Sequence, residues 1–227
     1  KGYTVKYATS KISGHERYYY DRAEPWEKEI PYYDEFFPVE KTQKPEMYIV
    51  PQAWSHVIER MKANGVKMHK LAVDTSLTVD VYYIEDHKDH RWGYGWHKPH
   101  HSVKTRTEKQ IIRFYTGDYV IRTNQETNNY IIQTLEPTGH DSFFAWNFFD
   151  GILHQKEWFS SYIFEEKALE ILEQKPALQQ ELDSLKMADT ELAENHWAQL
   201  YFVYKNSKYF ETALKRYPVA RVNKVTD

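Results

Sequence analysis

The chain has 227 residues, enough for one large domain or two small ones, and its 41% hydrophobic and 28% charged residues exclude a disordered tail. Thirty Lys plus Arg against 33 Asp plus Glu give a net charge of -3, without the basic excess that non-specific nucleic-acid binding requires, so DNA and RNA are not expected partners. There is no cysteine, which excludes disulfides, thiolate zinc fingers and a cysteine nucleophile and leaves His, Asp and Glu as metal ligands.

No apolar run is long enough to read as a membrane span, and the first 30 positions lack the basic stretch and apolar core of a signal peptide. Four prolines, Pro25, Pro31, Pro38 and Pro45, interrupt the aromatic and β-branched runs between Tyr3 and Tyr48. They remove backbone donors and fix φ, so short strands and loops are expected there instead of continuous helix. From Pro51 the period changes. Trp54, Val57, Ile58 and Met61 fall at helical spacing and Gly65 supplies a left-handed stop, which predicts a helix at about 52–64.

Leu77, Val79, Val81 and Tyr83 alternate with Thr78, Asp80, Tyr82 and Ile84, the period of a strand. Further strands are expected over 103–123, with residues 116–118 turning Ile111–Tyr115 back on Tyr119–Thr123 as a hairpin. Asn124–Leu135 suits either a strand or a short helix, and helix is preferred. From about residue 165 the composition is helical: Ala168 and Leu172 begin a pattern, Pro176 opens a second helix, Asp189 caps a third, and Trp197, Leu200 and Tyr204 keep helical spacing. Both Trp54 and Trp197 lie on apolar stripes and are expected to be buried.

Strands first and helices last indicate an α+β fold, with a β-rich, sandwich-like N-terminal and central part. The expected organisation is a β-rich domain over 1–163 with one embedded helix, and a helical segment over 164–227 packed on it as part of the same domain.

Five of the 11 histidines, His87, His90, His97, His100 and His101, lie in one stretch with Asp86, Asp89, Trp92 and Trp96. Imidazoles converging with a carboxylate suit zinc or a related ion, so His87, His90, His97 and His101 are the metal candidates. Spacing alone supplies no partner to orient them, and the expectation is an exposed, mobile, metal-free loop from Asp86 to His101. Two His-x-x-Glu pairs, His56 with Glu59 and His154 with Glu157, could each present two ligands on a helix face, although 11 His and 21 Glu make such pairs ordinary. A cupin-like pattern from His97, His101 and Glu108 to Pro137, Gly139, His140 and Asn147 fits poorly in spacing. The aromatic residues between Phe143 and Tyr162 read mainly as core. No His-Glu-x-x-His motif, Gly-x-Ser-x-Gly elbow or phosphate-binding loop occurs.

The run Thr134 to Glu165, TLEPTGHDSFFAWNFFDGILHQKEWFSSYIFE, resembles the downstream region of bacterial zinc carboxypeptidase-like proteins of the carboxypeptidase A superfamily. Supporting pieces are YIVPQAWSHVIERMKANG from Tyr48, Leu77 to Ile84, Gly117 to Val120 with Gln125, and the ending ENHWAQLYFVYKNSKYFETALKRYPVARV. In that family a preceding catalytic domain carries a His-x-x-Glu pair, a later His, a substrate-binding Arg and a general-base Glu, and neither His56 nor His154 stands in that context. The resemblance therefore implies a non-catalytic C-terminal accessory domain that packs on, or restricts access to, the catalytic domain of the same polypeptide, which is secreted or periplasmic. No catalytic residue and no cofactor are expected in this chain, the zinc belonging to the parent's catalytic domain. Peptide substrate is a candidate partner, with Trp92, Trp96, His97, His100 and His101 as contact candidates.

Two other classes remain open. One is a stand-alone metal-dependent enzyme, hydrolase or cupin-like, using the histidines at 87–101. The other is a glycan- or peptidoglycan-binding module, motivated by 19 Tyr and 7 Trp.

Overall fold

The computed structural model describes residues 2–38 and 41–223, so the last four residues of the expected 164–227 segment lie outside the described residues. Two compact units emerge, Lys1–Thr42 and Gln43–Asp227. Strands and helices are mixed in the α+β manner.

The first unit is an antiparallel ribbon of β1 (Gly2–Thr9) and β2 (Glu16–Trp26), with Tyr7 opposite Tyr18 and a register slip between Tyr3 and Thr4. Ser10 starts the turn, its Oγ accepting from the Ile12 and Ser13 amides at 3.2 Å, and Gly14 completes it at φ 73°. Lys6 Nζ reaches Asp21 at 2.8 Å and Glu24 at 2.5 Å from the facing strand. Residues 27–38, which hold Pro31 and Pro38, form no regular element.

The second unit is built on a six-stranded sheet ordered β4-β7-β3-β8-β5-β6. Its strands are β3 (Met47–Val50), β4 (His69–Lys70), β5 (Thr75–Asp89), β6 (His100–Phe114), β7 (Tyr119–Arg122) and β8 (Ala220–Val222). All of its strand pairs are antiparallel. The expected hairpin between Ile111–Tyr115 and Tyr119–Thr123 does not form, because β6 pairs with β5 whereas β7 pairs with β3 and β4.

The turn itself is present. Asp118 is buried and accepts from the Tyr115 amide at 2.8 Å and the Gln52 amide at 3.0 Å, while Gly117 takes φ 99°. In a flat sheet β6 and β7, four places apart, would be about 19 Å from each other. Five residue steps containing a tight turn cannot span that, so the sheet curls. The curl lets Phe114 of β6 pack in one cluster with Ile49, Val79, Val81, Val120 and Ala220.

Along β3 the alternation of side chains sends Ile49 into that cluster and Tyr48 and Val50 into a larger one on the opposite face. There they meet Val57, Ile58 and Met61 of α1 (Ser55–Ala63), the stripe expected from the sequence, and Ile131 and Leu135 of α2 (Asn128–Leu135). Phe143, Phe144, Phe149 and Tyr217 complete the layer. Gly139 is required by close approach, since a Cβ there would stand 2.4 Å from the Gln133 carbonyl oxygen, a backbone atom that cannot swing away.

The C-terminal helices are α3 (Ser161–Gln174), α4 (Pro176–Ala188), α5 (Thr190–Glu194) and α6 (His196–Lys205). Pro176 opens α4, and Asp189 caps α5 by accepting from the Glu191 and Leu192 amides. They gather Phe164, Ala168, Leu182, Leu200, Val203 and Tyr204 into a core of their own. Trp197 is not buried as its spacing suggested. It is 43% exposed and stacks on Tyr201 at 4.9 Å, one turn along the same helix, so the helical stripe is partly an outward-facing aromatic row. Among the described residues no helix is long and apolar enough to cross a membrane.

Candidate functional site

The far end of the β5–β6 pair, where the chain turns over at residues 90–99, holds the candidate site. Register runs without interruption to Ile84 opposite Thr105, then shifts twice before Lys88 meets His101 and Asp89 meets His100. Ser102, in left-handed backbone at φ 53°, marks the second irregularity. Such bulges twist a strand and re-aim its side chains. His87 and Asp89, two residues apart on one strand, share a face.

The sequence reading placed all five histidines on an exposed loop, and the structure corrects this for three of them, His87, His100 and His101, which lie in strands. His87 belongs to β5, and His100 begins β6 with 7% of its surface exposed. The His100 amide donates to the Ala145 carbonyl at 2.9 Å and its ring lies 4.9 Å from that of Phe144, which fixes it between the hairpin and residues 143–149. Its Nδ1 is 2.6 Å from Asp89 Oδ1 and its Nε2 is 2.9 Å from Asp150 Oδ1. The Asn147 amide donates to the Lys98 carbonyl at 3.0 Å and stands 3.2 Å from the same Nε2, held there by a left-handed φ of 67°. Asn is among the few side chains that accept such backbone readily.

His87 Nε2 lies 3.7 Å from Asp89 Oδ1, and the His87 and His100 rings are 4.4 Å apart edge to face. Burial, reinforced by neighbouring His100, lowers the His87 pKa and favours its neutral form. Among the described residues this is the group of three His or carboxylate side chains whose ligand atoms all lie within 4.8 Å of one another.

The other expected contact residues sit around this core. His90 and His101 pair at 4.6 Å between ring centroids, and His97 lies 5.9 Å from Trp146. Trp92 and Trp96 project into solvent, Trp96 from a Gly95-Trp96 turn in which both residues have positive φ. A cavity of about 320 Å³ opens beside His100, walled by His90, Trp92, Tyr94, His140 and Trp146. A second, of about 490 Å³, lies between α1 and the tip, with Trp54, Arg60, His97 and Trp146 on its walls. Asn147 entered the sequence reading only through the poorly fitting cupin-like spacing, and Asp150 only as a polar residue within the aromatic run read mainly as core; nothing local marks either as a partner of His100.

A second polar centre lies under the sheet. Buried Glu136, just past α2, accepts from Tyr48 Oη at 2.5 Å and Tyr82 Oη at 2.8 Å. Arg221 Nε stands 3.1 Å from Glu136 Oε1 as an ion-pair contact, and its Nη1 donates to Tyr82 Oη at 2.8 Å. Burial, with the Glu136 charge second, pushes Tyr48 and Tyr82 well above the ordinary phenol range. This network ties β3, β5 and β8 to the end of α2. With its phenols held protonated and its polar groups turned on one another, it reads as structural.

Comparison with known proteins places part of the chain near carboxypeptidases. It is 28% identical over 116 residues to carboxypeptidase 2 of Trichophyton rubrum, covering 47% of this chain and 20% of that protein. The same protein from Trichophyton equinum is 28% identical over 110 residues, covering 44% and 18% respectively. The chain thus spans about a fifth of the length of the curated relatives it matches. No protein-family model matches it, and no solved structure matches it. The relationship established is carboxypeptidase-like and distant.

The zinc set of a carboxypeptidase A-type catalytic domain does not fit the residues here. His56 and Glu59 lie 3.9 Å apart on the outer face of α1, both largely exposed, and no third ligand approaches them among the described residues. His154 and Glu157 fall in the exposed stretch before α3, not on a helix.

Proposed function

We propose that this chain is a non-catalytic accessory part of a secreted zinc carboxypeptidase-like protein, packing on the catalytic domain of the same polypeptide and restricting access of peptide to it. The observation that carries the reading is the likeness to carboxypeptidase 2 over about a fifth of those proteins, in a chain whose His-x-x-Glu pairs have no third ligand beside them among the described residues. The aromatic tip supports it: Trp92, Trp96 and His97 are exposed side chains on a turn held by a rigid two-stranded arm, the kind of position where recognition residues concentrate.

Mixing this chain with the separately expressed catalytic domain tests the reading. A one-to-one complex in sedimentation, with altered kcat/KM for peptides that weakens in a Trp92→Ala/Trp96→Ala variant, is expected. No complex together with unchanged turnover would contradict it.

A further inference from the structure

His100 has two ring nitrogens and faces a carboxylate oxygen with each. A neutral imidazole donates from one nitrogen and accepts at the other. If Nε2–H donates to Asp150, then Nδ1 presents a lone pair to Asp89 Oδ1 at 2.6 Å, two acceptors directed at each other. The other tautomer, with Nδ1–H donating to Asp89, moves the same conflict to Nε2 and Asp150, so in either tautomer one of the two contacts calls for a further proton or a cation. His87 decides between the two, because its Nε2 converges on the same Asp89 oxygen from 3.7 Å and its ring is 4.4 Å from that of His100. A proton shared by His100 and Asp89 gives His87 nothing to do, whereas a cation uses all three groups.

We propose that His87, Asp89 and His100 bind one divalent transition-metal ion, through His87 Nε2, Asp89 Oδ1 and His100 Nδ1, with Asp150 holding the far nitrogen of His100. Two imidazole nitrogens and one carboxylate oxygen suit zinc and its borderline neighbours, and do not suit calcium or magnesium, which take oxygen ligands. A carboxylate on the second nitrogen of a ligating histidine is the usual device for fixing tautomer and ring direction.

The distances are close to what is needed. Ligands about 2.0–2.2 Å from a tetrahedral ion stand about 3.3–3.5 Å from one another. The 3.7 Å separation has to close slightly and the 2.6 Å one has to open by less than an ångström. Asp89 can supply that movement, since its side chain is 52% exposed at the end of β5, while His100 is held by the Ala145 carbonyl, Phe144 and Asp150. Three protein ligands leave a fourth position of a tetrahedral ion open, so water or a small ligand can complete the shell. The site stands whichever polypeptide the chain belongs to.

The test uses the tag-free 227-residue chain, stripped with chelator and dialysed. Zinc chloride is followed by calorimetry and cobalt chloride by its visible absorption. One equivalent of each metal is expected to bind, with His87→Gln and Asp89→Asn each weakening affinity at least about tenfold and Asp150→Asn by about 10- to 100-fold. The His90→Gln/His101→Gln variant serves as a neighbouring control and is expected to bind like the parent chain. His100 is left intact because its removal disturbs packing on Phe144, and circular dichroism checks the folding of every variant. Absence of uptake, uptake unchanged in both His87→Gln and Asp89→Asn, or uptake lost only in the His90/His101 variant would overturn the proposal.

Discussion

Glu136→Gln costs the fold about 3–5 kcal/mol, the range for removing one partner of a buried ion pair. The carboxylate is 3% exposed and receives two tyrosine hydroxyls as well as the Arg221 guanidinium. Its removal strands the Arg221 charge, which is 8% exposed on a strand with neighbours on both sides. Replacing both members with apolar residues of similar size, Glu136→Met with Arg221→Leu, is expected to recover much of the loss, because neither then leaves a buried charge behind. Denaturant melts of the single and double variants measure this. A single-variant loss under about 1 kcal/mol would place the pair in solvent-like surroundings.

Phe149→Ala is the second large effect, at about 3–5 kcal/mol. Phe149 is fully buried and stands edge to face between Trp54 at 4.8 Å and Tyr217 at 5.0 Å. Truncation opens a cavity that neither neighbour closes easily, since Trp54 starts α1 and the backbone amide of Tyr217 donates to the Tyr82 carbonyl at 2.8 Å. The same melts check it, and a loss near that of an exposed aromatic would show that residues 143–149 are not part of the core.

Where periodicity and local chemistry decide the outcome, the sequence was legible. The Val57, Ile58 and Met61 stripe, the alternation over 77–84, the helix before Leu135, and the Pro176 and Asp189 helix starts are each read from a few neighbouring residues. What failed depends on distant partners. The turn at 116–118 is encoded locally by Gly117 and Asp118, but β7's choice of β3 and β4 over β6 is made by the curl of the sheet, which no local signal records.

The candidate site was half legible for the same reason. The cluster of histidines stands out in the sequence, yet Asp86–Asp89 reads as loop because a strand end with little to bury shows no apolar alternation. His100 could not be told from the exposed histidines without Phe144 and Asp150, which lie 44 and 50 positions away. Glu136 and Arg221, 85 positions apart, leave no pattern at all.

Release of C-terminal amino acids from a panel of peptides by the zinc-loaded chain alone tests the central claim most directly. Catalysis of that kind needs a metal-activated water, a base and an oriented substrate carboxylate together. The account predicts no turnover above the zinc-only blank, even with metal at His87, Asp89 and His100. Zinc-dependent release that disappears in His87→Gln would contradict it and make this chain a peptidase in its own right.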